Sequence, residues 1–299
     1  MQTITSDVVG LGLRAELAAD IGANIDGPRD VECLEVIAEE YFHATPAQLE
    51  GLATLARMVP VSLHGVSLGM ASTLPLETDV ADRMARLYER IQPAYWSEHL
   101  SFVRGGGHEI GHLAAAPRTA ATVQAALEHI RLASRIVGAN PAVENVATLI
   151  APPASTLTEV EWLSAIVGEC EGGMLLDLHN LHANAWNFGG DTVQMLDALP
   201  LERVRQIHLS GGVMIPAPGR SQRLLDDHVH DVADACYMLL EELAARVSQP
   251  LVVIIERDGR YPPMPALVEQ LKEARTALRR GRQRAAAREH AAMATLSAR

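Results

Sequence analysis

The sequence predicts an α/β fold, a (β/α)8 TIM barrel, and three observations carry that reading. Eight short apolar runs recur along the 299 residues. Each is followed by a helical or loop segment, and an alternation of that count and length is what an eight-stranded parallel barrel needs. The runs are apolar almost throughout, as expected of strands covered on both sides. An open, doubly wound sheet is the main competitor. It lacks support, because Gly10 and Gly12 lie inside the first run and no glycine-rich turn follows it.

In order, the runs are Val8–Arg14, Val31–Ala38, Val61–Gly65, Ala94–Leu100, Ala142–Val146, Gly173–Asp177, Val204–Leu209 and Leu251–Glu256. Between them, Val80, Met84, Leu87, Tyr88 and Ile91 share one helical face, as do Val232, Cys236, Leu239, Leu240 and Leu243. Thr158 and Glu161 have capping-box spacing and open a helix expected to reach about residue 167. Pro46 and Pro265 suit first-turn positions. Gly105-Gly106-Gly107 predicts a flexible loop after the fourth strand. The Gly- and Pro-rich stretch from Ser210 to Asp227 predicts a long loop framing the site. The catalytic domain is expected over residues 1–278. A basic, Ala- and Arg-rich helical tail over 279–299 has little apolar face and reads as a solvated extension, with a partner or dimer contact as the alternative.

Composition narrows the function. A net charge of −12 disfavours DNA or RNA as a partner. No stretch approaches the roughly 20 apolar residues of a membrane span, and the N-terminus lacks a signal-peptide pattern, so a cytoplasmic location is expected. Cys33, Cys170 and Cys236 are scattered, which argues for buried thiols and against a disulfide framework or a thiolate zinc site.

The polar residues that break the apolar runs carry the chemistry. The stretch Met174–His182 ends a strand in Asp177 and then offers Asn180 and His182. His64, Glu98 with His99, Glu144, His208 and Glu256 end other runs in the same way, and the seventh loop adds Asp226 and His228. In a barrel these strand ends converge on one mouth. So many carboxylates and imidazoles would repel and desolvate one another without a counter-charge. A site of two or more metal ions removes that cost. Imidazole and carboxylate donors suit zinc, iron or manganese alike. Near this set, His182 and His230 are candidates for substrate or outer contacts, and His108, His112 and His179 are weaker ones.

The blocks Gly10–Arg14, Leu34–Tyr41, Val61–Gly65, Ser97–Leu100, Glu144–Val146, Leu176–Asn180, Ile207–Gly212, Asp226–His228 and Glu256–Asp258 stand in one order. In these the chain resembles the multinuclear non-heme iron-dependent oxidative enzymes, the family of the methanobactin biosynthesis oxidase. The resemblance implies a xylose-isomerase-like TIM barrel with two or three irons in mixed ferrous and ferric states, and dioxygen as co-substrate. It implies His64, His99, Glu144, Asp177, Asn180, His208, Asp226, His228 and Glu256 as ligands, with no catalytic residue beyond the metal site. It further implies a ribosomally made precursor peptide, oxidised most often at Cys, and a small leader-binding partner protein. No oligomeric state is implied. Ile37, Glu40, His112, Ala114–Ala116, His179 and His182 depart from the family pattern around the site and bear on the substrate. Arg14, Glu39 and the Ser210–Gly219 segment are candidate peptide contacts.

A zinc or manganese hydrolase or isomerase on the same donors is the competing function. Against a sugar isomerase, which would want a lysine near the site, Lys272 is the only lysine in the chain. A non-enzymatic peptide-binding subunit is the third reading.

Overall fold

The computed structural model describes residues 4–297 apart from Pro28, Gly107 and Pro218. Twelve strands are present among the described residues: β1 (Val8–Gly12), β2 (Leu34–Ile37), β3 (Val61–Gly65), β4 (Tyr95–His99), β5 (Ser101–Gly105), β6 (His108–Ala115), β7 (Ala142–Glu144), β8 (Met174–Asp177), β9 (Val204–Leu209), β10 (Gly212–Ala217), β11 (Arg220–Asp226) and β12 (Val252–Ile255). Eight of them close a parallel barrel in the order β1-β12-β9-β8-β7-β4-β3-β2. These are the eight runs expected from the sequence, trimmed at their ends.

Around the barrel run α1 (Ala18–Asp26), α2 (Pro46–Met58), α3 (Thr78–Ile91), α4 (Ala120–Val137), α5 (Glu159–Glu169), α6 (Leu178–Phe188), α7 (Thr192–Asp197), α8 (Asp234–Ala244) and α9 (Met264–Ser297). Local chemistry starts them where expected. Pro46 is the first residue of α2. Thr158 and Glu161 exchange bonds at the head of α5, with Thr158 N–H donating to Glu161 Oε2 at 2.8 Å. The predicted faces of α3 and α8 bury Met84, Leu87, Ile91, Cys236, Leu239, Leu240 and Leu243 against the strands. Val232 belongs to the same core but precedes α8. All three cysteines are buried and free.

Two segments expected as loops are hairpins instead. β5 pairs with β6, and β10 with β11, each pair antiparallel. Glycine and proline marked only the tips. Gly106 has φ +58° and Gly219 φ +75°, a conformation that suits a residue without a side chain. What holds the second hairpin as a strand pair is tertiary. Asn187 of α6 accepts from Leu224 N–H at 2.8 Å and donates to Leu224 carbonyl at 2.9 Å.

Helix α9 passes residue 278 without a break. Arg282 bonds Asp7 through Nε (2.9 Å) and Nη2 (2.7 Å), the Gln249 carbonyl (2.7 Å), and the Val247 carbonyl. A side chain at Gly281 would run into the Glu241 carbonyl, so α8 and α9 cross at backbone contact there. No helix among the described residues is long and apolar enough to cross a membrane.

Candidate metal centre

Parallel register brings the strand-end donors level. His99 pairs with Glu144 across β4 and β7, and Asp177 with His208 across β8 and β9. Glu144 lies at the centre. Its Oε2 is 3.2 Å from His64 Nε2 and 3.2 Å from His99 Nε2, and its Oε1 is 3.2 Å from His208 Nδ1. His208 Nδ1 is also 3.1 Å from Glu256 Oε2. Two buried donor groups result, His64–His99–Glu144 and Glu144–Asp177–His208–Glu256. In each group all ligand atoms lie within 4.8 Å of one another, and Glu144 belongs to both.

Each imidazole has one nitrogen held by protein and the other aimed at this centre. Ser97 Oγ pairs with His64 Nδ1 at 2.8 Å, and the Gly65 carbonyl accepts from His99 Nδ1 at 3.2 Å. Glu35 holds His208 Nε2, with oxygens at 2.9 and 3.0 Å. That is how a protein fixes the tautomer and direction of a metal-binding histidine. Glu98, the buried neighbour of His99, accepts from His99 N–H at 2.9 Å and Leu68 N–H at 3.2 Å, so it shapes the loop after β3.

Asp177 closes β8 and caps α6, accepting from Asn180 N–H at 2.7 Å. Asn145 ties the ends of β7 and β8. It donates to Asp177 carbonyl (3.0 Å) and accepts from Asp177 N–H (2.9 Å), while its own carbonyl takes the Asn180 amide (3.0 Å).

Asp226 and His228 stand beside these groups, His228 Nε2 at 2.9 Å from Asp226 Oδ2 and Nδ1 at 3.6 Å from Glu256 Oε2. His228 has φ +54°, a left-handed conformation unfavourable for a residue with a side chain, and such strain gathers at functional sites. The other Asp226 oxygen is 2.8 Å from Nδ1 of buried His179. Gly212 makes room for that ring, since a side chain there would come within 2.7 Å of it.

The electrostatics are those of a crowded, desolvated centre. Burial, with the Asp226 and Glu144 charges added, pushes the Asp177 carboxyl well up. Burial and the neighbouring His99 and His208 push His64 well down. Burial opposes a charge on His99 too, but Glu144 and Glu98 outweigh it and raise the ring to about 9. Glu256 is held well down by His208 and His228 against its burial.

Asn180 Oδ1 and Asp177 Oδ2 are buried without a hydrogen-bond partner among the described residues, while Glu144 Oε2 and His208 Nδ1 meet only other ionisable groups of this centre. A buried atom left unpaired costs about 1–3 kcal/mol. The four belong to one neighbourhood, and that neighbourhood holds the crowded carboxylates. Bound cations would satisfy both, so the residues present fit metal ions.

The remaining sequence candidates fall outside the two groups. Arg14 is committed to Asp258 (Nε 2.9 Å, Nη2 2.6 Å), which in turn meets His228 Nδ1 at 3.0 Å. Glu39 accepts from Val66 N–H (2.9 Å) and Ser67 hydroxyl (2.6 Å) through Oε1, which ties it to the loop after β3. His230 pairs with Asp227 at 2.9 Å. Half-buried His182 neither joins the donors nor lines the cavity beside them. Sequence reading missed Glu35, although a carboxylate inside the second apolar run is the same signal that marked the other strands. It also missed Asp258, which lies just beyond the eighth strand.

Solved structures with the same barrel include endonuclease IV from Thermus thermophilus (17% identity, TM-score 0.57, covering 91% of this chain and 99% of that one). The E. coli 3-keto-D-glucoside 4-epimerase YcjR is another (12%, TM-score 0.60, 91% and 100%). At these identities they speak for the xylose-isomerase-like fold alone. Closer in sequence are UPF0276 proteins. One from Acaryochloris marina is 30% identical, covering 90% of this chain and 94% of its own length. One from Anaeromyxobacter sp. is 33% identical, covering 89% and 90%. The profile of one enzyme family spans residues 8–279, the whole barrel and all nine expected ligands. The chain therefore belongs to the RiPP precursor modification enzyme MbnB/TglH/ChrH family, whose substrates are ribosomally made precursor peptides.

Proposed function

We propose that the chain is an iron- and dioxygen-dependent oxidase that modifies Cys in a precursor peptide. Two or three irons, in mixed ferrous and ferric states, would be held by His64, His99, Glu144, Asp177, Asn180, His208, Asp226, His228 and Glu256. The observation that carries this is the sharing of Glu144 by two buried donor groups, because a bridging carboxylate is what adjacent ions need. Oxygen and nitrogen donors without thiolate are compatible with iron, as with zinc or manganese, and the resemblance to the iron-dependent oxidases selects iron among them. Bound iron would supply redox chemistry with dioxygen and the Lewis acidity that favours a thiolate.

The chain's own residues do the rest. Glu35, Ser97 and the Gly65 carbonyl fix the three imidazoles. Arg14 steadies Asp258 against His228. The two hairpins rise beside the barrel mouth and limit water around the reacting residue. A small leader-binding partner protein would deliver the peptide.

The test is metal analysis of anaerobically purified protein, then incubation with precursor, partner, reductant and dioxygen. Iron at about two equivalents or more and an altered peptide mass are expected. Zinc alone with an unchanged peptide would overturn the proposal in favour of a hydrolase or isomerase.

A further inference from the structure

A cavity of about 450 Å³ opens directly over the donors, with His99, Glu144, Asn180, Asp226 and His228 in its lining. Its walls come from β6, from the segment after β7 and from β11. They are apolar, and Leu113, Val146, Leu149, Ile150 and Leu224 make up much of them. Among the described residues neither lysine nor arginine lines it, and Arg223 beside it is bonded to the Leu149 carbonyl. Beyond the donors, only His112 and Thr148 bring polar side chains, and the Thr148 hydroxyl is already donated to the Ile150 carbonyl at 2.8 Å. Nothing in these walls recognises a phosphate, a carboxylate or a peptide terminus.

The volume is that of a small-ligand site, which holds a few residues of a peptide and not a folded domain. A reacting side chain at the donors would fill only its floor. The rest of the space must take what is covalently next to it. On the rim, Ile150 is 75% exposed, an isoleucine with an apolar cavity on one side and solvent on the other. Both hairpins are two-stranded, and β6 and β11 each supply a wall. Asn187 already holds Leu224 on the outer edge of β11, whereas β6 has no second neighbouring strand among the described residues, and such an edge suits an extended chain.

We propose that this cavity takes the residue adjacent to the reacting residue of the precursor peptide, and that it selects an aliphatic side chain there. Leu149, Ile150, Leu113 and Leu224 are the selecting residues. The inference rests on the chain acting on a precursor peptide at the donor groups, but not on iron or on oxidation. Burying an aliphatic side chain rather than leaving it wet is worth a factor of roughly ten to a hundred in binding. An aspartate or lysine set against these walls, away from the donors, loses its water to apolar side chains.

The test uses labelled Gly/Ser decapeptides with one central Cys, flanked before or after by Leu, Asp or Lys. Binding is read by fluorescence anisotropy on the full chain, both metal-free and iron-loaded without dioxygen. The Leu peptides of one set should bind about tenfold or more tighter than the Asp and Lys peptides. Ile150→Glu, at an exposed position where folding is not at risk, should erase that preference, as should Leu149→Asp. Equal binding of all three peptides by the wild-type chain would overturn the inference, and so would an undiminished preference in Ile150→Glu. A Leu preference that persists without metal, in a protein that never oxidises Cys, would sustain the cavity's role while removing the oxidase reading. Oxidation of every peptide at one rate with no binding preference would do the reverse.

Discussion

Glu35 meets His208 inside the barrel, its carboxylate oxygens 2.9 and 3.0 Å from His208 Nε2, with both side chains fully buried. Gln206, two residues earlier on the same strand, donates its amide to the same carboxylate. The pair crosses from β2 to β9, strands separated by β1 and β12, so it fixes His208 across the barrel interior.

Removing that carboxylate frees the ring and lowers its basicity. Glu35→Gln keeps an acceptor but loses the charge, and Glu35→Leu loses both. Metal affinity is expected to fall about 10- to 100-fold, more in Leu than in Gln. Competition with a calibrated chelator measures it. Affinities equal to wild type in both variants would show that Glu35 serves packing alone.

Asp177 gives the opposite sign without metal. Burial, Asp226 and Glu144 raise its carboxyl above the ordinary value. A group that binds its proton more tightly folded than unfolded stabilises the fold below its unfolded pKa. That contribution is lost as pH rises through the folded value. At neutral pH, above the unfolded value, Asp177 therefore costs the metal-free chain stability. Asp177→Asn can still accept the α6 capping bond from Asn180 N–H. Metal-free Asp177→Asn should be more stable than metal-free wild type by about 1 kcal/mol or more. Added metal should reverse the order, because only wild type gains fully by binding. Urea denaturation with and without metal reads both signs.

Why the barrel could be read from sequence and the rims could not follows from where the determining contacts lie. Strands such as Val252–Ile255 announce themselves because their apolar character is local and continuous. The donors were legible for the same reason, since His64 or Glu144 interrupts such a run at its end. Hairpin β10–β11 was not, because Asn187 holds Leu224 from another element. Periodicity within 210–227 carries no trace of that bond. The partner of Arg14 was equally illegible, because Asp258 lies 244 positions away.

The last helix offers a test of where the folded unit ends. A chain cut after Leu278 loses Arg282, whose guanidinium bonds Asp7 and the carbonyls of Val247 and Gln249. Several charge-assisted bonds go at once, and stability should fall by about 2–5 kcal/mol. A cut after Glu289 keeps all of them and should be near neutral. If both truncated chains match the full length in urea, the helix beyond 278 contributes nothing to the barrel.

Glu242 sets the pH dependence of that anchor. Hydrogen bonds from Arg284 of α9, and then from Arg246, lower its pKa from 4.5 to about 2. A depressed acid stabilises above its unfolded value, and the contribution disappears as pH falls through the folded one. The urea midpoint of wild type should therefore exceed that of Glu242→Gln by a constant amount above about pH 5. The gap should close between about pH 4.5 and 2. Arg284→Ala removes the larger cause and leaves Arg246, so in that background the gap should be smaller and close at higher pH. A gap that stays open down to pH 2, or one that Arg284→Ala leaves unaltered, would mean that the carboxylate acts through something other than its arginine partners.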